Sequence, residues 1–171
     1  VRQVEQEAVD AGADTLAVLL GDTPLVTGEA LTRAVHTLGR VVVAPDAEES
    51  GTNLLVRRPP RAIAARFGPE SYRKHLESAE TRGMPAAVVE LPELAFDLDE
   101  PGDILTLLQT RRDGRTREVC LEMDVRSRIA IRMELRIWTS RASKLASESM
   151  TGFSMYSRPV WRLTPWGAIR L

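Results

Sequence analysis

Two short stretches carry carboxylates where a hard cation can use them. In Gly21-Asp22-Thr23-Pro24-Leu25, Asp22 follows directly on the apolar run at 15–20. In Phe96-Asp97-Leu98-Asp99, two aspartates alternate along a short extended segment, which puts both side chains on one face. A carboxylate at the carboxyl end of a strand faces the crevice where open α/β sheets bind ligands. Mg²⁺ there needs oxygen donors. Each stretch also has a plainer reading. Asp22 before Pro24 is a common turn residue, and Asp99, Glu100 and Asp103 suit the first turn of a helix without any metal. Asp97 lies too far before that helix for this explanation, which makes it the stronger ligand candidate of its group.

Two further segments offer groups for an anion. Ser50-Gly51-Thr52-Asn53 presents backbone N–H groups and a hydroxyl, in a loop where Gly51 permits close approach. Phe67-Gly68-Pro69-Glu70-Ser71 leads into a helix whose first N–H groups, with the Ser71 hydroxyl, suit a phosphate or carboxylate. Ordinary turn and cap chemistry explains either one taken singly. His75 falls one turn after Ser71 and reads first as a satisfied surface or boundary residue. His36 and Cys120 have no partners in sequence that would activate them. Neither a Gly-Lys-Ser/Thr phosphate loop nor Gly-x-Gly-x-x-Gly occurs.

The elements that must position these residues alternate through the first 110 positions. Helix is predicted over 4–11, from a Thr27 cap to Leu38, over 70–82 and over 101–109 with Pro at its start. Short apolar runs at 15–20, 40–44, 53–56 and 86–91 read as buried strands, with a fifth at 95–98. That alternation implies an α/β fold with a mostly parallel sheet.

Composition divides the chain. Residues 1–110 hold 10 Lys+Arg against 18 Asp+Glu, whereas residues 111–171 hold 13 against 6. All three Trp (Trp138, Trp161, Trp166), four of five Met and the lone Cys fall in the second piece. We therefore expect two pieces that do not share one history or role, a domain at 1–110 and a basic extension of unknown structure at 111–171. Residues 121–126 alternate briefly, and no confident element is predicted after them. With a net charge of −1 there is no electrostatic reason to expect nucleic acid. The longest apolar runs fall well short of a membrane span, one cysteine forms no internal disulfide, and a cytoplasmic location is expected.

In order and spacing, Gly21-Asp22-Thr23-Pro24-Leu25, Gly51-Thr52-Asn53-Leu54-Leu55, Arg66-Phe67-Gly68-Pro69-Glu70-Ser71 with His75, and Asp97-Leu98-Asp99-Glu100-Pro101-Gly102-Asp103-Ile104 form a set. It resembles the 2-phospho-L-lactate or phosphoenolpyruvate guanylyltransferases of coenzyme F-420 biosynthesis, from about Ala8 to Leu108. The resemblance implies a Rossmann-like nucleotidyltransferase fold. It also implies transfer of GMP from GTP to the phosphate of a small phosphorylated carboxylic acid, with release of pyrophosphate. Under it, Asp22 and Asp97 become catalytic metal ligands for Mg²⁺, and Thr52, Gly68 and Ser71 become substrate contacts. No general base is needed, because the nucleophile is already a phosphate anion.

Two departures from the family pattern shape the expectation. Family members begin with a strand and a basic, Lys-containing loop that receives the nucleotide, and nothing equivalent precedes Val1. The nucleotide half of the site, and a third acidic ligand with it, is expected to be missing, so this chain should be inactive or nearly so. Residues 111–171 have no counterpart in the family. The partners implied are GTP and the phosphorylated acid, with homo-oligomerisation left open. Rival readings are a molybdenum-cofactor guanylyltransferase or cytidylyltransferase, and a non-catalytic binding protein that uses its Trp-bearing tail.

Overall fold

A computed structural model describes residues 1–132, 136, 139 and 140. These belong to two units, Val1–Ser127 and Arg128–Leu171. In the second unit residues 128–132 are helical. Trp138, Trp161 and Trp166 lie outside the described residues, so the reading of a tail that contacts a partner lies there too.

The first unit runs α1 (Arg2–Asp10), β1 (Leu16–Leu19), α2 (Gly28–His36), β2 (Val41–Pro45), β3 (Thr52–Arg57), α3 (Ser71–Thr81), β4 (Ala87–Val88), α4 (Pro92–Ala95), α5 (Pro101–Gln109) and α6 (Arg115–Glu122). The compositional break at 110–111 falls between α5 and α6, inside this unit. Thr27 caps α2 as the sequence predicts, its hydroxyl accepting from the Ala30 amide at 3.1 Å. Two predicted elements differ. No strand forms at 95–98, where a fifth was expected: Ala95 closes a helical turn, α4, started by Pro92 at its first position. The brief alternation at 121–126 sits at the end of α6, and no strand forms there.

Four strands form one sheet in the order β1-β3-β2-β4. β2 and β4 pair in parallel, while β3 runs antiparallel to both β1 and β2. Three strands therefore share a direction and β3 is reversed between two of them, which makes the α/β sheet mixed, with one parallel and two antiparallel pairings among the described residues. The cause is the connection at 46–51, which suffices for a hairpin but not for a parallel crossover of a dozen residues or more.

Period-two alternation sorts the core into two layers. Val42, Ala44, Leu54 and Val56 face one side and pack with Ala30 and Ala34 of α2 and Leu94 of α4. Val41, Val43 and Leu55 face the other, with Ile63 and with Ala79 of α3. Both faces of β2 and β3 are thus covered, which is why Val41 to Ala44 and Leu54 to Val56 read as continuous apolar runs. Among the described residues, no helix is long and apolar enough to cross a membrane.

Candidate active site

The carboxyl ends of β1 and β2 and the start of the reversed β3 lie together. The Leu20 amide donates to the Asn53 carbonyl at 2.9 Å, which holds the end of β1 against the beginning of β3. Beyond Leu20 the chain turns through Asp22, steadied by the Thr23 hydroxyl donating to the Leu20 carbonyl at 2.8 Å. The Leu98 amide then donates to the Asp22 carbonyl at 3.0 Å, so the two aspartate-bearing segments are joined through their backbones.

Asp22, Thr52, Gly68, Ser71 and Asp97 all line one cleft of about 390 Å³. Asp46 and Asp99 line it as well, and among the residues lining it none is Lys or Arg. Asp22 and Asp99 are exposed and Asp97 is half-buried. Burial, above all, pushes the Asp97 carboxyl upward; the nearby charges of Asp99 and Asp46 add to this, and the Asn53 amide opposes it. A larger hollow of about 570 Å³ lies beside α2 and α6. Its Arg112 and Arg115 are already paired with Glu93 at 2.9 Å and Glu118 at 3.3 Å.

Two backbone groupings predicted to hold an anion are used internally instead. The Ser50 and Gly51 amides donate to the Asp46 carboxylate at 2.8 and 2.5 Å. A Cβ at Gly51 would stand 2.5 Å from Asp46 Oδ2, so the close approach that Gly51 permits is that of a side chain. At the start of α3, the Ser71 amide donates to the Gly68 carbonyl at 3.0 Å and the Tyr72 amide to the Ser50 carbonyl at 3.2 Å. Thr52 and Ser71 border the cleft with hydroxyl side chains, and both residues are buried. Gly68, at φ +109°, sits where a side chain would be strained and has open space around it.

His75 is fully buried, not at a boundary. Its Nδ1 lies 3.0 Å from Thr52 Oγ1, and its Nε2 accepts from the Arg66 amide at 2.8 Å. The Phe67 ring meets it edge-on at 5.4 Å. Burial first, then the charges of Arg57 and Arg66, lowers its pKa to about 4.

Asp46 and Asn53 escape the sequence reading as site residues. Asn53 is buried, and its amide donates to the Leu94 carbonyl at 3.0 Å, fixing the end of α4 from which Asp97 follows. An Asn inside an apolar strand is itself a signal, because a buried amide demands partners.

The donor set in the cleft is anionic and all-oxygen. Among the described residues, no three His, Cys, Asp or Glu side chains group closely enough to hold a metal ion by themselves. Mg²⁺ still suits the arrangement, since it is held by one or two carboxylates and completes its shell with water and phosphate oxygens.

Comparison with known proteins agrees with this architecture. Residues 2–140 match the family described as "Guanylyl transferase CofC like", so residues 111–140, expected to have no counterpart there, fall inside the match. A phosphoenolpyruvate guanylyltransferase of Sphaerobacter thermophilus is 38% identical over 106 residues, 61% of this chain and 51% of that protein. A 2-phospho-L-lactate guanylyltransferase of Archaeoglobus fulgidus is 42% identical over 94 residues, 54% of this chain and 44% of that one. The chain thus spans about half the length of the curated relatives it matches. Among solved structures, a protein described as a nucleotide-diphospho-sugar transferase from Desulfovibrio desulfuricans G20 superposes with a TM-score of 0.55 at 18% identity, covering 74% of this chain and 59% of that one. That likeness is one of fold. With its family pattern matched from residue 2 to 140, the chain belongs to the CofC-like guanylyl transferases.

Proposed function

We propose that this chain contributes the acid- and metal-binding part of a cytoplasmic guanylyltransferase that acts on GTP and a small phosphorylated carboxylic acid, phosphoenolpyruvate or 2-phospho-L-lactate, in coenzyme F-420 biosynthesis. The observation that carries the reading is the convergence of Asp22, Asp97, Thr52, Gly68 and Ser71 on one cleft. Relatives named for either acid support the substrate class.

In the reaction, a phosphate oxygen of the acid attacks the α-phosphorus of GTP. The bond from that phosphorus to the bridging oxygen breaks, and pyrophosphate leaves with the electron pair. Asp22 and Asp97 would hold Mg²⁺, which when bound would neutralise phosphate charge. That neutralisation would be needed because every charged side chain lining the cleft is a carboxylate. The Thr52 and Ser71 hydroxyls donate to anionic oxygens of the acid, and Gly68 leaves its backbone open beside them. Positioning and charge neutralisation are the main demands of such a transfer.

Titration with Mn²⁺ in the presence of phosphoenolpyruvate tests the site on this chain. Saturable binding is expected, lost in Asp22→Asn and Asp97→Asn; binding unchanged in both would remove the metal assignment. For the activity, pyrophosphate release from GTP is measured on the complete protein with phosphoenolpyruvate, 2-phospho-L-lactate and phosphoglycerate. Failure with all three would overturn the proposal.

A further inference from the structure

His75 does not line the cleft, but its Nδ1 lies 3.0 Å from Oγ1 of Thr52, which does. The Arg66 backbone N–H can only donate, and it points at His75 Nε2 from 2.8 Å. That nitrogen therefore carries a lone pair and no proton. A fully buried imidazole between the Arg57 and Arg66 charges is neutral, which leaves its one proton on Nδ1. Nδ1 faces Thr52 Oγ1 at 3.0 Å, so the hydroxyl oxygen must accept. The reverse tautomer would set Nε2–H against the Arg66 N–H, two donors head to head. Among the described residues the Thr52 hydroxyl has no other partner, and Thr52 lines the cleft.

We infer that His75 is a positioning residue: held as the Nδ1–H tautomer by the Arg66 amide, it occupies the acceptor side of the Thr52 hydroxyl and turns that hydroxyl's hydrogen toward the cleft, as a donor to an anionic oxygen of the phosphorylated acid. The inference rests on Thr52 being a contact for that acid. Its physical content is preorganisation. A free threonine hydroxyl rotates among acceptors, whereas here the buried ring blocks the wrong orientation before ligand arrives. Edge-on contact with Phe67 limits ring rotation, and the lowered pKa keeps the ring neutral through the physiological range.

Two measurements on the 171-residue chain test this separately. Long-range proton–nitrogen NMR at neutral pH should show His75 Nδ1 as the protonated nitrogen and Nε2 as the bare one. A proton on Nε2, or on both nitrogens, overturns the inference without any ligand or variant. Phosphoenolpyruvate affinity in the presence of Mn²⁺ is the second. Thr52→Val should lose about tenfold, the weight of one hydrogen bond to a charged group, while Thr52→Ser stays near wild type. His75→Gln keeps an acceptor for Arg66 but no donor for Thr52, and should lose about as much as Thr52→Val. His75→Asn keeps the donor and should bind within about threefold of wild type. If Thr52→Val weakens binding and His75→Gln does not, the positioning role is overturned and the acid contact survives. If Thr52→Val binds as wild type, or the wild-type chain does not bind the acid, the contact itself fails.

Discussion

Asp97 meets two opposed demands at the scale of a single residue. Its half-buried position, the charges of Asp99 and Asp46, and the absence of any basic neighbour lining the cleft all disfavour the carboxylate, and its pKa is raised accordingly. A raised folded-state pKa means that ionisation at neutral pH works against the fold. Asp97→Asn should therefore raise stability slightly at neutral pH in a denaturant titration, while weakening divalent-cation binding by at least about tenfold. Lower stability in that variant would contradict the burial argument. Gly51 is tuned in the opposite sense. Gly51→Ala drives a methyl group against Asp46 Oδ2 and breaks two amide bonds to that carboxylate, and should cost about 1–3 kcal/mol. In an Asp46→Ala background the same change should cost distinctly less, a coupling that a double-mutant cycle reads directly.

Among the elements, α1 is the one with least to hold it. It buries no residue, and Val1, Val4 and Val9 are exposed. Its link to the sheet runs through Glu5, whose carboxylate lies 2.5 Å from Nη1 of the fully buried Arg57 at the end of β3. Arg57 Nη1 also donates to the Ile63 carbonyl at 3.0 Å, while its Nε and Nη2 find no protein partner. Glu5→Ala would leave a buried, uncompensated guanidinium, and should destabilise by about 3 kcal/mol in urea unfolding, with amide exchange rising along α1. An effect under about 0.5 kcal/mol would mean that the pair behaves like an exposed one. Element scale is also where sequence reading succeeds and fails most visibly. β2 and β3 are legible because both their faces are buried and their central residues, Val41 to Ala44 and Leu54 to Val56, are apolar. The reversal of β3 is written only in the shortness of 46–51, a signal masked by the helix–strand alternation around it. α4 carries its own start mark in Leu91-Pro92-Glu93, overridden by the alternation of Ala95 to Leu98. Asn53 is harder, because its partner Leu94 is 41 residues away and no local pattern can name it.

At the scale of the whole molecule, pH acts on stability through His75, the most strongly shifted group among the described residues. Its folded pKa of about 4 lies below the ordinary value of 6.5, so the unfolded chain takes up a proton at a pH where the folded chain does not. The stability tied to the neutral ring is complete above pH 6.5 and is lost as pH falls toward 4. By then the loss is about 3 kcal/mol for this one group. Urea midpoints measured between pH 7 and pH 4 should fall along that course, and His75→Gln should flatten it; an unchanged slope in that variant would place the titration elsewhere. Asp97 opposes this trend with the reverse sign. The site as a whole was legible to the extent that its residues were chemically conspicuous. Asp22 and Asp97 stand out as carboxylates and Thr52, Gly68 and Ser71 by the family pattern, and all five line one cleft. Which backbone amides remained available to a ligand was not legible, because Asp46, Gly68 and Ser50 claim them through contacts that only the folded chain makes.

The single bond from the Leu98 amide to the Asp22 carbonyl has a practical corollary. It is the stitch between two segments that carry the proposed cation ligands, and its hydrogen leaves for solvent only when those segments part. Deuterium uptake at that one amide is therefore a clock for the opening of the cleft. It should slow when Mn²⁺ and phosphoenolpyruvate are added, while amides of the α2 surface keep their own time.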